Sequence, residues 1–275
     1  MTVTIDGTTP AAATAADAAV RLTGVTKRFG RDTEAPVLDG IDLTVAPGEF
    51  VCLLGASGCG KSTLLNLIAG LDPVSSGTIE LTGGRAALMF QEAALFPWLT
   101  AAGNIELALR LRGMGKAERR AEAERLLRLV RLEGAAGKRA HELSGGMRQR
   151  VALARALAQQ ADVLLMDEPF AALDAITRDV LHSELTSLWQ QTGVTVLFVT
   201  HNVREAVRLG QRVVLLSSRP GRVARQWQVQ IGQPRRIEDA AVAELAREIT
   251  DELHREITRH AEAGRYDYEE AKLDG

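Results

Sequence analysis

Hydrophobic and polar positions along this chain switch between two periods. Val20–Phe29 and Ile41–Val45 alternate in part with period two, bracketed by the turn-rich stretch Gly30–Pro36 and by Pro47-Gly48, which predicts strands. Phe50–Leu54 is an unbroken apolar run and predicts a short buried strand; Lys61–Ala69 predicts a helix, with Gly70 as its stop. Gly77–Leu81 and Ala86–Phe90 read as two further strands, and the short Thr82–Arg85 link between them predicts a trimmed hairpin. From Gln91 to about Gln160 the period becomes helical. On Lys116–Leu132 the apolar residues Ala117, Ala121, Leu126, Leu127 and Val130 recur at helical spacing, and Met147–Gln159 predicts a second helix. Val163–Met166, Ile176–Gln191, Val194–Val199, Val203–Leu209 and Val213–Leu216 then alternate strand with helix. Such alternation predicts an α/β fold with a mostly parallel, helix-covered sheet. Beyond Pro234, the stripe Val242, Leu245, Ala246, Ile249, Leu253 and Ile257 predicts a helix packed on its own domain, in preference to a regulatory module.

The 275 residues suffice for one substantial core, or one core with a smaller inserted lobe. Hydrophobic residues at 46% and charged residues at 25% are ordinary for a globular protein. A net charge of −2 argues against nucleic acid as the main partner, because no basic excess exists to neutralise phosphates. The two cysteines, Cys52 and Cys59, fall in or beside the glycine-rich segment, so a disulfide framework is not expected and a reducing cytosol is the natural setting. No apolar run approaches the ~20 residues that cross a bilayer. The Thr/Ala-rich start has no secretion-signal pattern, and residues 1–19 are expected to form a disordered tail.

The string Gly55–Thr63 fits G-x-x-x-x-G-K-[ST], with Gly55, Gly60, Lys61 and Ser62 in the required places. Glycines let successive N–H groups turn inward as a nest for phosphate oxygens, and a helix opening at Lys61 adds its positive end there. Residues Gly55, Ala56, Ser57, Gly58, Cys59, Gly60, Lys61, Ser62 and Thr63 are therefore candidates to cradle a nucleoside triphosphate, with Lys61 on the terminal phosphates and Ser62 on Mg²⁺. Asp167 and Glu168 end an apolar strand. Asp167 suits Mg²⁺, which prefers oxygen ligands, and Glu168 suits the role of orienting and deprotonating an attacking water. Cys59, inside the loop, is expected to be exposed to alkylation when nucleotide is absent.

Leu143–Arg150 (LSGGMRQR) resembles the signature of ATP-binding cassette (ABC) ATPases, and further family elements occur in the family's order from about Val20 to Val229. The resemblance implies a P-loop ABC ATPase with a RecA-like core, an antiparallel β subdomain and an inserted helical subdomain at about 92–160, within a domain spanning 20–230 and followed by a C-terminal helical extension, 231–275. It implies ATP and Mg²⁺ as ligands, Phe29 against adenine, Gln91 reaching Mg²⁺ and water, and His201 holding water, Glu168 and the γ-phosphate in register. It also implies that Ser144, Gly145 and Gly146 close over the nucleotide of a second copy, with Asp174 aligning the two subunits. The local reading of Ser144, as a helix N-cap before a Gly pair, is compatible with that role. The family usually follows the histidine with Asp; this chain has Asn202, one carboxylate fewer near the site.

Four details (GGMRQR, Phe96–Thr100, Phe170–Arg178 and Ser217–Gly221) look like the ATPase subunits of the nitrate/sulfonate/taurine importer group. That resemblance implies a homodimer at the cytoplasmic face of the membrane, joined to two membrane permease subunits and indirectly to a solute-binding protein. Aliphatic sulfonates are the first expectation for cargo, with taurine, nitrate and other small solutes as competitors. Phe96, Pro97 and Trp98 form an apolar cluster just past Gln91 that suits a docking anchor, against the alternative of a core tryptophan. A soluble ABC ATPase acting on DNA or ribosomes is disfavoured by the absence of coiled-coil insertions, zinc-type Cys pairs or a second cassette. A P-loop kinase or GTPase gives no account of Leu143–Arg150.

Overall fold

A computed structural model describes residues 18–30, 35–171 and 173–273, with side chains to residue 259. In chain order the elements are β1 (Val20–Lys27), β2 (Leu38–Val45), β3 (Phe50–Leu54), α1 (Lys61–Ile68), β4 (Ser76–Leu81), β5 (Ala86–Met89), α2 (Ala101–Leu111), α3 (Lys116–Leu129), α4 (Gly145–Ala158), β6 (Val163–Asp167), α5 (Ala175–Thr192), β7 (Thr195–Val199), α6 (Val203–Leu209), β8 (Arg212–Leu216), β9 (Val223–Gln228) and α7 (Ala240–Leu273). Residues 1–17, most of the expected N-terminal tail, lie outside the described residues.

Two sheets organise these elements. A six-stranded sheet runs β5-β6-β7-β3-β8-β9, parallel except for the last pair, and a three-stranded antiparallel sheet runs β2-β1-β4. The large sheet is covered on both faces, which is why its central strands read as unbroken apolar runs. In β3 the period of two still sorts side chains: Phe50, Cys52 and Leu54 join the core under the helices α2 and α4–α7, whereas Val51 and Leu53 face α1 and the small sheet.

The expected hairpin between β4 and β5 is overturned. β4 pairs with β1 in the small sheet and β5 with β6 in the large one, so the Thr82–Arg85 link steps from one sheet to the other. The reason is visible in burial. Ala87 and Met89 pack under the helices, and Ala86 and Leu88 pack against the opposite core, so β5 has two covered faces that a surface hairpin could not give it. β9, a strand that the hydrophobic pattern does not predict, closes the other edge antiparallel to β8.

Helix boundaries follow local chemistry. α4 begins two residues before the expected Met147, because the Ser144 hydroxyl accepts from the Met147 N–H at 3.3 Å as an N-cap. Asp174 caps α5 by accepting from Thr177 N–H at 3.0 Å, and Asn202 caps α6 by accepting from Arg204 and Glu205 N–H groups. α7 buries Val242, Ala246 and Ile249 of the expected stripe against α6 and the β9 edge, and leaves Ile257 exposed. Glu248 joins α7 to β9 by accepting from Trp227 Nε1 at 2.8 Å and from Arg225 at 2.9 Å. Ahead of α7, the buried Arg235 guanidinium donates to the carbonyls of Val207, Gly210, Val229 and Ile231, satisfying the open C-terminal end of α6.

Candidate nucleotide site

The C-terminal ends of three adjacent parallel strands converge on one crevice, where ligands bind in open α/β sheets. β3 feeds the glycine-rich loop, β6 feeds Asp167 and Glu168, and β7 feeds Thr200 and His201. The loop ends at Gly60, whose φ of 99° lies in the left-handed region and allows α1 to begin at Lys61. Lys61 is buried, and its Nζ donates to Gly55 O at 2.8 Å and Ala56 O at 3.0 Å, so the loop holds its own cation in place.

A cleft of about 380 Å³ opens over the loop, lined by Ser57, Gly58, Gly60, Lys61, Ser62, Thr63 and Glu168, and on its outer side by Phe29, Val37 and Arg219. Phe29 is 47% exposed, as ring stacking on a base requires, and Lys27 Nζ stands 4.8 Å from its ring centroid. Arg219 and Val37 were missed by residue-type reasoning. Arg219 lies in the Ser217–Gly221 string, used only as a family marker, and its Nε donates to Gly58 O at 3.3 Å.

The Ser62 hydroxyl lies beside the Asp167 carboxyl and favours its charged form. Burial is the largest effect on Asp167 and raises its pKa; the neighbouring Glu168 charge pushes the same way, while Ser62 and Lys61 oppose the rise. A half-buried carboxylate with a hydroxyl alongside is a fitting donor pair for Mg²⁺, which would favour the charged form that burial disfavours. No cluster of three or more His, Cys, Asp or Glu able to hold a metal occurs among the described residues, so phosphate and water oxygens would complete such a shell.

Glu168 sits at φ 43°, a left-handed conformation uncommon outside glycine, held by its N–H donating to Val199 O at 3.0 Å. This turn brings its Oε2 to 2.9 Å from His201 Nδ1. With the carboxylate ionised, and so able only to accept, Nδ1 would be the donor of this contact.

Cys59 overturns one expectation. It is 1% exposed, packed with its Sγ beside Gly55 and Lys61, and burial raises its pKa. Cys59 therefore contributes backbone to the loop and no accessible thiol.

Other expected site residues lie apart from the cleft. Gln91 is exposed past the end of β5, and its backbone carbonyl accepts from Gln149 Nε2 at 2.7 Å, which ties its loop to α4. Ser144 and Gly145 are exposed, and none of Ser144–Gly146 lines the cleft of their own chain. Gly146 packs on the start of α5, where a Cβ would come within 2.7 Å of Thr177 Cγ2. Asp174 is fully exposed, and hydrogen bonds from Thr177 lower its pKa. Trp98 is 68% exposed, with its ring 5.4 Å from that of Phe96.

The ABC transporter family profile matches residues 38–171. The taurine import ATP-binding protein of Rhizobium johnstonii is 45% identical over 242 residues, covering 82% of this chain and 92% of that protein. An uncharacterized ABC transporter ATP-binding protein of Methanocaldococcus jannaschii is 43% identical, covering 81% and 86%. Among solved structures, a dimeric post-hydrolysis state of an ATP-binding cassette bound to ADP and Pi superimposes with a TM-score of 0.69 at 34% identity, covering 78% of this chain and 100% of that one. With a relative 45% identical over 92% of its length and a cassette structure superimposing on 78% of this chain, the chain belongs to the ATP-hydrolysing subunits of the ABC transporter family.

Proposed function

We propose that this ATPase drives import of a small organic sulfonate, with taurine as the favoured solute, through a separate pair of membrane subunits at the cytoplasmic face of the membrane. The relatives named for taurine import, 45% identical along nearly the whole cassette, support that cargo over the longer aliphatic sulfonates expected first. Among the described residues no helix is long and apolar enough to cross a membrane, so the conduit is assigned to other chains. A solute-binding protein would deliver cargo to that conduit without touching this subunit, and no nucleic acid takes part.

The observation that carries the hydrolytic reading is the Glu168–His201 contact at the mouth of the loop. Lys61 leaves the Gly55 and Ala56 carbonyls for the β/γ-phosphates when ATP enters, and the loop amides cradle the same oxygens. A magnesium ion, held by Ser62 and Asp167 with Gln91 drawn in, would supply neutralising charge to the phosphates. Glu168 takes the proton of a water whose oxygen bonds to the γ-phosphorus as the bond to the β–γ bridging oxygen breaks, giving ADP and phosphate. His201 keeps the carboxylate turned toward that water. Phe29 stacks on adenine, and Ser144, Gly145 and Gly146 of a second copy close the site, aligned by Asp174.

A cleft of about 930 Å³ lined by Phe90, Phe96, Leu107, Leu111 and Arg155 adjoins the exposed Trp98 ring, which supports this side as the seat of the membrane subunit. E168Q is expected to bind ATP normally, to hydrolyse it about 10²–10⁴-fold more slowly and to elute as an ATP-bound dimer in gel filtration. Turnover at the unmodified rate would remove Glu168 from the role. Cargo is tested by uptake of labelled taurine, alkanesulfonates and nitrate in cells with and without the gene.

A further inference from the structure

Behind the Glu168–His201 pair runs a buried polar chain that the reaction described above leaves unused. His182, on α5, is buried, and its Nε2 shares a hydrogen bond with Glu205 Oε1 at 2.5 Å. Glu205, on α6, is buried too, and its Oε2 accepts from the hydroxyl of Thr200, the residue just before His201. Thr200 Oγ1 in turn accepts from the backbone N–H of Asn202 at 3.0 Å, just after His201. One carboxylate thus holds the residue before His201 directly and the residue after it through the Thr200 hydroxyl. The His182 ring also lies 5.5 Å from the ring of Phe170, two residues past Glu168, and its Nδ1 is buried with no partner.

The space beside the pair is not closely packed. A cavity of about 20 Å³, enough for one water, is lined by Glu168, His201, Phe170, Arg178, Thr200 and Glu205 among others. The pair is therefore not fixed by close packing on that side, and directional bonds from a connected buried network can set its register. An interior carboxylate is costly unless it is paired, and here its partners are His182 on α5 and Thr200, the residue just before His201.

We propose that His182 is a positioning residue for hydrolysis: through Glu205 and Thr200 it fixes the backbone around His201, and through Phe170 it fixes the turn that carries Glu168. The proposal rests on the reading of Glu168 and His201 given above. It also joins two distant parts of the chain. α5 begins against the signature residue Gly146 through Thr177 and carries His182 further along, so one helix touches both the signature and the network behind the hydrolytic pair.

The test is steady-state hydrolysis of Mg-ATP and equilibrium ATP binding by the full chain as H182L, H182Q and T200V, with E168Q as reference. H182L and T200V are expected to lower kcat about tenfold or more, as a small misplacement of reacting groups does. KM for ATP should stay within about twofold, because ground-state binding is untouched. H182Q, whose amide nitrogen can reach Glu205, is expected to recover most of the lost kcat. Unmodified kcat in folded H182L and T200V, a loss seen in KM alone, or a folded H182Q as slow as H182L would each overturn the proposal. T200V, which exchanges a hydroxyl for a methyl, carries the test if H182L fails to fold. E168Q turning over at the unmodified rate would instead remove the site reading beneath it, whereas an inactive E168Q beside active H182L and T200V would remove the positioning role alone.

Discussion

At the scale of residues, Cys59 shows where a motif stops predicting. The pattern Gly55–Thr63 specifies backbone shape, so the residues that the shape requires were legible from the string. The thiol at a free position of that pattern was not, because its burial is set by contact with Gly55 and Lys61. Burial disfavours the thiolate, so at neutral pH the thiol stays protonated and its reactivity rises only at a pH above that of an ordinary cysteine. Iodoacetamide labelling near pH 7 is therefore expected to be slow with or without Mg-ATP and fast in denaturant, read by mass spectrometry of the loop peptide. Rapid labelling of the native chain that ATP suppresses would restore the exposed-thiol reading. Glu168 was legible as a carboxylate at a strand end, but its left-handed turn and contact with His201 were not, since they depend on β6 lying beside β7. The His182–Glu205–Thr200 chain was invisible for the same reason: its members lie on separate elements and fit no spacing rule.

Among the elements, existence was easier to read than partnership. The apolar runs marked β3, β6, β7 and β8, but nothing local in Gly77–Met89 says that β4 and β5 enter different sheets. Pairing is decided by which faces find cover, and that is a property of the assembled core. The signature shows the same division. Ser144 as an N-cap was legible, whereas the close approach of Gly146 to α5 was not. G146A should force its new methyl against Thr177 Cγ2 and destabilise the chain by about 1–3 kcal/mol, as overpacking does. G146A/T177S, which removes that methyl group, should regain at least half of the loss in thermal melting. Equal melting of the two variants would mean that the contact gives way cheaply.

For the whole molecule, the exposed apolar residues show which surfaces expect company. Trp98, Phe90 and Leu111 stand out around the cleft that Phe96 lines, far beyond what a solvated face needs. W98A should leave melting and ATP binding of the isolated chain unchanged while weakening assembly with the membrane subunits, where loss of an aromatic anchor commonly costs ~2–4 kcal/mol. A large drop in melting temperature with normal assembly would make Trp98 a folding residue. The position of the signature carries a different consequence. None of Ser144–Gly146 lines the cleft of its own chain, so if a second copy's signature closes the site as proposed, a lone subunit would hold two halves of two different sites and one complete site of neither. Turnover in dilute solution should then rise with the square of subunit concentration, and specific activity should vanish on dilution even though every residue is present. Tethering two copies to one membrane complex, as proposed, would replace that bimolecular encounter with a fixed local concentration, so each assembled complex would turn over at a rate independent of how dilute the free subunit is.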